Sequence, residues 1–228
     1  MIYPSVGQYT EYCIHCGKGY INLSRKKKRY RIKFNMVNKD IIINDILISS
    51  LQRLYEMDYV NIKFGVSERN ICARLAHHME NIMREYDKNH HCYEFVDYYA
   101  DVEYNRMGNG DPKHFENDKK LKQYMVADLL IQRRGYRNML AVEMKREGNN
   151  KHVKEDKERL EKLVSKTPPE SDNCVFGTLV GAFITYSKDA VTICQFEDRK
   201  GRGKQVAEIQ LLYDDTMDQL VFKSVVYS

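Results

Sequence analysis

Apolar and polar side chains first alternate strictly in Arg29–Met36, where Tyr30, Ile32, Phe34 and Met36 interleave with Arg29, Arg31, Lys33 and Asn35. A period of two predicts a half-buried strand, and the run Ser24-Arg25-Lys26-Lys27-Lys28 makes one end of it strongly basic. The spacing then lengthens. Leu47, Leu51, Leu54 and Tyr55 predict a helix within Asp45–Tyr55, followed by a short extended piece over Tyr59–Phe64. Gly65-Val66-Ser67 offers a break and a serine N-cap. The helix it opens runs to about Tyr86, with Ile71, Leu75, Met79, Ile82, Met83 and Tyr86 on one stripe, widened by Cys72 and Ala76.

Glu94–Tyr104 is aromatic and β-branched and predicts a strand, whereas the polar Met107–Lys120 predicts a long loop. Two strands follow, near Tyr124–Gln132 and Asn138–Arg146. Asn149-Asn150 caps a helix from about Lys151 to Val164, with Val153, Leu160, Leu163 and Val164 on one side, and Thr167-Pro168-Pro169 stops it. Cys174–Tyr186 predicts a strand covered on both faces. Ala190–Glu197 and Leu220–Val226 predict two more, with a basic, glycine-spaced loop, Arg199–Lys204, after the first. From Ser67 onward the order is helix, strand, strand, strand, helix, strand. That is a mixed α/β layer architecture rather than a Rossmann alternation.

The 228 residues suit one large domain or a domain with an appendage, and 43% hydrophobic content excludes wholesale disorder. The longest apolar run, Val175–Tyr186, holds twelve residues and falls short of the ~18 a membrane helix needs. Met1–Tyr12 lacks the basic and apolar regions of an export signal, and the six cysteines are scattered. The expected setting is reduced, cytoplasmic and away from membranes. With 37 Lys+Arg against 32 Asp+Glu the net charge is only +5, so any polyanion binding must come from local clusters.

The candidate chemistry lies in the hairpin. A four-residue loop, Arg134–Arg137, puts Arg133 opposite Asn138 and, five rungs on, Asp128 opposite Glu143. Directly opposed residues share a face, and Lys145, two beyond Glu143, shares it too. Ala127, Leu129, Ile131, Leu140, Val142 and Met144 fall on the other face and make an apolar surface for a helix. Glu68 precedes Ile71, Cys72 and Leu75 at helical spacing, so an acid sits on a stripe that must bury itself. Converging carboxylates make a hard-oxygen site for Mg²⁺ or Mn²⁺, to which the backbone carbonyl of Met144 could add a ligand. A lysine beside them can orient a metal-bound water and stabilise charge on a phosphate. A solvated charged face is the bland alternative; the apolar setting of Glu143 and the buried stripe under Glu68 argue against it.

Asp128…Glu143-Met144-Lys145, within helix–strand–strand–strand–helix–strand, resembles the PD-(D/E)xK, or restriction-endonuclease-like, nuclease superfamily. The resemblance extends over about Tyr59–Tyr186. Its wording is Phe64-Gly65-Val66-Ser67-Glu68-Arg69, Val102-Glu103-Tyr104-Asn105-Arg106, Ala127-Asp128-Leu129-Leu130-Ile131-Gln132-Arg133-Arg134-Gly135 and Asn138-Met139-Leu140-Ala141-Val142-Glu143-Met144-Lys145, similar to uncharacterised bacterial members. The motif's proline is replaced by Ala127. The resemblance implies an α/β fold: a mixed β-sheet flanked by helices, with a core of order αβββαβ over residues 61–228. Residues 1–60 then form an N-terminal extension of basic strand plus helix. It also implies Mg²⁺- or Mn²⁺-dependent hydrolysis of nucleic acid, DNA before RNA, with Asp128 and Glu143 as metal ligands and Lys145 beside the attacking water. Glu68 matches the acid that many members carry on the first core helix. Members that cut both strands of a duplex are often homodimers, though no interface is legible here. A catalytically silent nucleic-acid-binding or regulatory protein on the same fold is the competing expectation.

Basic residues near the hairpin (Arg133, Arg134, Arg137, Arg146) and in the glycine-spaced segment (Arg202, Lys204) are candidates for phosphate contact. Cys13-Ile14-His15-Cys16 is half a zinc site without a second pair at finger-like spacing, and a surface turn with two free thiols explains it as well. Asp156 and Lys157, near the start of the helix Lys151–Val164, read equally as substrate contacts or as part of an exposed charged helix face.

Overall fold

The computed structural model describes residues 38–103, 126–133, 138–165 and 178–228, with the backbone of two short strand pairs, Tyr12–Cys13 with Lys18–Gly19 and His114–Glu116 with Lys122–Tyr124. The expected strand Arg29–Met36, the Cys13–Cys16 side chains, most of the Met107–Lys120 loop, Thr167-Pro168-Pro169, Arg134 and Arg137 lie outside the described residues.

A mixed sheet of seven strands has helices on both faces. Its strands are β1 (Tyr99–Val102), β2 (Leu129–Gln132), β3 (Asn138–Arg146), β4 (Val180–Tyr186), β5 (Ala190–Arg199), β6 (Arg202–Asp214) and β7 (Gln219–Tyr227), and they neighbour one another in sequence order. Every pairing is antiparallel except β3 with β4, which is parallel and is joined by the crossover helix α3 (Val153–Val164). The other helices are α1 (Ser49–Lys63), entered through a π-helical stretch Ile41–Ile48, and α2 (Glu68–Asn89). Among the described residues no helix is long and apolar enough to cross a membrane.

The pattern of side chains decides which helix covers which face. Leu129, Ile131, Leu140, Val142 and Met144 share one apolar core with Ile71, Leu75, Met79 and Met83 of α2 and with Leu51, Leu54 and Tyr55 of α1. Each fully buried Leu, Ile or Met contributes ~1.5–3 kcal/mol, so the stripe rather than intrinsic propensity holds α2 in place. Leu130, Ala141, Phe183 and Phe196 point the other way, onto Leu160, Leu163 and Val164 of α3. Strand β4 is buried along nearly its whole length, because α1 and α2 cover one face and α3 the other.

Several boundaries differ from the sequence expectation. Tyr59–Phe64 is not extended: α1 runs to Lys63 because Ile62 continues its buried stripe, and it stops at Gly65, whose φ of 77° suits glycine. Among the described residues of the Glu94–Tyr104 run only Tyr99–Val102 forms a strand, since the Asp87 carboxylate accepts the Glu94 and Phe95 N–H groups at 2.9 and 3.0 Å. Strand β2 starts at Leu129, so alternation does not reach Ala127, which packs under α3 and not beside Leu129. Helix α3 begins at Val153 after His152 in a left-handed conformation, with no side-chain cap from Asn149 or Asn150.

The basic segment Arg199–Lys204 is no loop. Lys200 and Gly201 (φ 57° and 86°) form a two-residue turn between β5 and β6, and Arg202 and Lys204 stand exposed on β6. Strand β6 was hidden in the sequence by its glycines and by a register shift between Gln205 and Ala207. This hairpin leans on the C-terminal end of α3, where a Cβ at Gly203 would meet the Glu161 carbonyl oxygen at 1.9 Å. Gly203→Ala is therefore expected to destabilise the fold by about 2 kcal/mol or more, read as a lowered urea midpoint with unchanged slope.

Candidate active site

The ladder between β2 and β3 pairs Leu129 with Val142 and Leu130 with Ala141, the register expected from the sequence, and Asp128 lies one residue beyond its last rung. The expected pairing thus holds at this end. Nearer the turn it does not: a shift between Ile131 and Gln132 sets Gln132, not Arg133, against Asn138. Glu143 follows Ala141 on the α3 face, and Lys145 follows Glu143.

Reading toward the N-terminus, strand β2 ends at Leu129, one residue short of Asp128, while β3 runs on to Arg146. The N–H groups of Met144 and Arg146 face that open edge, and two of the expected acids satisfy them. Asp128 Oδ2 accepts from the Met144 N–H at 2.8 Å. Glu68 Oε1 accepts from the Arg146 N–H at 2.9 Å and from Asn149 Nδ2 at 2.8 Å, so Asn149 serves Glu68 rather than capping α3. Glu68 gets there because Ser67 starts α2, its side chain accepting the Asn70 N–H at 3.3 Å, with the acid in the first turn. In an extended strand N–H and C=O of one residue point the same way, so the Met144 carbonyl opens on the same side as Asp128.

Buried charge is the distinctive property of the site. Glu143 is 1% exposed and Asp156 3%. Arg159 Nη1 donates to Glu143 Oε1 at 2.5 Å and to the Val126 carbonyl at 3.1 Å, while its Nη2 donates to Asp156 Oδ1 at 2.9 Å. Lys145 Nζ pairs with Asp156 Oδ2 at 3.2 Å. Burial, reinforced by the Asp128 charge, holds the Glu143 carboxyl well above the usual range despite Arg159. Burial raises Asp128 as well, although the Met144 N–H and Lys145 pull it down. Burial alone would lower Lys145, but Asp156 outweighs it and the amine stays firmly charged. Cys72, buried with Sγ 3.8 Å from Met144 Sδ, is pushed up by burial and then by Asp128, Glu68, Glu143 and Glu103. All four acids act on that one thiol.

Arg159 was not singled out by sequence, and Asp156, read there as a substrate contact or as part of an exposed charged face, is instead buried at 3% exposure; the reasoning that found Glu68 would have placed it there. It lies three residues after Val153 and four before Leu160, on the stripe that α3 buries. Glu103 pairs with Arg69 at 3.0 Å. Arg133 pairs with Asp97 at 3.3 Å. The Arg146 guanidinium turns back to the Ile62 carbonyl at 3.2 Å and lies 5.9 Å from the Tyr186 ring. Arg202 and Lys204 stand at the C-terminal end of α3, away from Asp156 in its first turn.

The donor set suits a divalent cation. Asp128 and Glu143 are hard-oxygen donors, and the Asp128 charge, after burial, helps to raise Glu143, a repulsion that a cation would relieve. Among the described residues no three His, Cys, Asp or Glu side chains form a ready metal cluster. A cation there would take Asp128, Glu143 and the Met144 carbonyl, completing its shell with water and substrate oxygens, as Mg²⁺ commonly does. Comparison with protein-family models, with curated proteins and with solved structures returns no match for this chain.

Proposed function

We propose that the chain is a metal-dependent nuclease that hydrolyses phosphodiester bonds of nucleic acid, DNA before RNA. The observation that carries the reading is the meeting of the Asp128 and Glu143 side chains just past the end of the β2–β3 ladder, with Lys145 two residues on from Glu143 and Asp128 holding the Met144 N–H. Three strands of the seven-stranded sheet after α2, then α3 and a β4 parallel to β3, support a restriction-endonuclease-like core. Mg²⁺ or Mn²⁺, when bound, would supply Lewis acidity and make a water more acidic. Asp128 and Glu143 would hold it, and Lys145, kept charged by Asp156, would stabilise the charge that develops on a phosphate. Glu68 braces the end of β3 through the Arg146 N–H, and so fixes the strand on which Glu143 and Lys145 stand.

One observation favours a second reading. Arg159 already neutralises Glu143, as it would in a catalytically silent protein that binds nucleic acid without metal. The two readings separate on purified protein. With Mg²⁺ or Mn²⁺ the nuclease cuts plasmid, linear or single-stranded DNA, or RNA, and is silenced by EDTA. It also binds Mn²⁺ saturably in calorimetry, and Asp128→Ala abolishes that binding. Strongly salt-dependent nucleic-acid binding with no Mn²⁺ uptake and no cleavage sinks the nuclease and leaves the silent binder.

A further inference from the structure

The nuclease reading assigns work to Asp128, Glu143 and Lys145 and none to Arg159, yet Arg159 makes the shortest ion pair of the cluster. Its two terminal nitrogens have different anchors. Nη1 holds Glu143 on the sheet, and Nη2 holds Asp156, three residues earlier on the same helix. A guanidinium anchored at both forks can give up one carboxylate and keep the other. The Arg159 side chain is 24% exposed, against 1% for Glu143, so it reaches toward solvent from a buried base.

Resting on that reading, we propose that Arg159 is the exchangeable counter-ion of the site. It neutralises Glu143 in the metal-free protein and gives that carboxylate up once a divalent cation is bound. Still held by Asp156, it then binds a phosphate of the nucleic-acid chain. Counting charge favours exchange over coexistence. With Glu143 ionised, as a metal ligand must be, Asp128, Glu143 and Asp156 bring three negative charges, Lys145 and Arg159 two positive, which leaves one negative. A divalent ion turns that into one positive charge, in a place where unpaired charge is costly. One phosphodiester charge, taken up by the released arginine, restores neutrality. Metal and substrate are thereby coupled, since the residue that the first displaces is the one that receives the second.

The test is Arg159→Met titrated with Mn²⁺ alone by calorimetry. Removing the competing cation is expected to tighten Mn²⁺ binding about tenfold. Cleavage by the same variant is expected to fall about a hundredfold, because a phosphate-facing donor is gone. An arginine that merely supports the fold predicts the reverse for the metal, so unchanged or weaker Mn²⁺ affinity overturns the proposal. The wild-type protein provides a second readout that does not depend on the variant folding. Its Arg159 guanidinium N–H signals, held by Glu143 without metal, are expected to shift and broaden as Mg²⁺ saturates the site; signals that persist unchanged at saturation overturn it. Saturable Mn²⁺ binding by wild type with an unmoved Arg159→Met affinity removes this proposal and leaves the nuclease standing. A wild type that binds no Mn²⁺ overturns both.

Discussion

Glu143→Gln is expected to lose cleavage by about a thousandfold or more while the metal-free protein becomes no less stable. The first half follows from the ligand role. A bound cation stabilises the transition state by several kcal/mol, and each 1.36 kcal/mol is a factor of ten in rate. A neutral amide surrenders most of that grip. The second half follows from burial. The Glu143 carboxyl is held well above its ordinary range, by burial first and by Asp128 second, so its ionised form is the disfavoured one in the fold even with Arg159 attached. An acid raised in this way weakens the fold as pH climbs above its unfolded value of about 4.3, and stability is restored as pH falls back through the folded value. Glutamine keeps the shape and can still accept from Arg159 without that penalty. In EDTA, the urea midpoint of Glu143→Gln at pH 7 is thus expected to equal or exceed that of wild type, and to depend less on pH between 4 and 8. A variant that cleaves normally removes Glu143 from the chemistry. One that unfolds readily shows that Arg159 needs the full charge. A site that works against its own fold is what function at this position predicts.

How far the sequence revealed this arrangement varies by element. The β2–β3 ladder was legible because a strand period of two and one assumed loop length fix who opposes whom. The assumed register is right beside Asp128 and wrong beside Gln132, since a bulge absorbs the difference before the site is reached. Strand β3 was read to the residue because Met139–Met144 is apolar but for Glu143 and buried throughout. The start of strand β6 was missed for the opposite reason: Gly201, Gly203 and four basic residues imitate a loop, whereas only Lys200 and Gly201 turn and Arg202–Lys204 pair with β5. Tertiary context also overrode local chemistry at Asn149, a good cap by type, which instead donates to Glu68 from 81 residues away. The acids were easier to find than their counter-ions. A carboxylate on an apolar stripe stands out in one dimension, whereas Arg159 looks like any exposed helical arginine until α3 is laid over β3.

That overlay makes Asp156 the residue on which the metal-free cluster depends most. It is the one carboxylate shared by both cations, taking Lys145 on Oδ2 and Arg159 on Oδ1. Asp156→Ala strands two positive groups at once. Removing one partner of a buried pair costs ~3–5 kcal/mol, because the remaining charge is left without compensation. Lys145 and Arg159 keep 17% and 24% of their side-chain exposure and can turn partly to water, which places the expected loss near the lower end, about 3 kcal/mol. The measurement is the urea midpoint in EDTA at neutral pH, with the slope unchanged if the unfolded state is unaffected. A double-mutant cycle with Arg159→Met then tells contact from bystander. Coupling of about 1 kcal/mol or more is expected for groups that share a hydrogen bond, whereas two additive losses would mean that Asp156 serves Lys145 alone. Either way the amine loses its only carboxylate contact on α3, and cleavage should fall with it, even where added Mn²⁺ restores the fold.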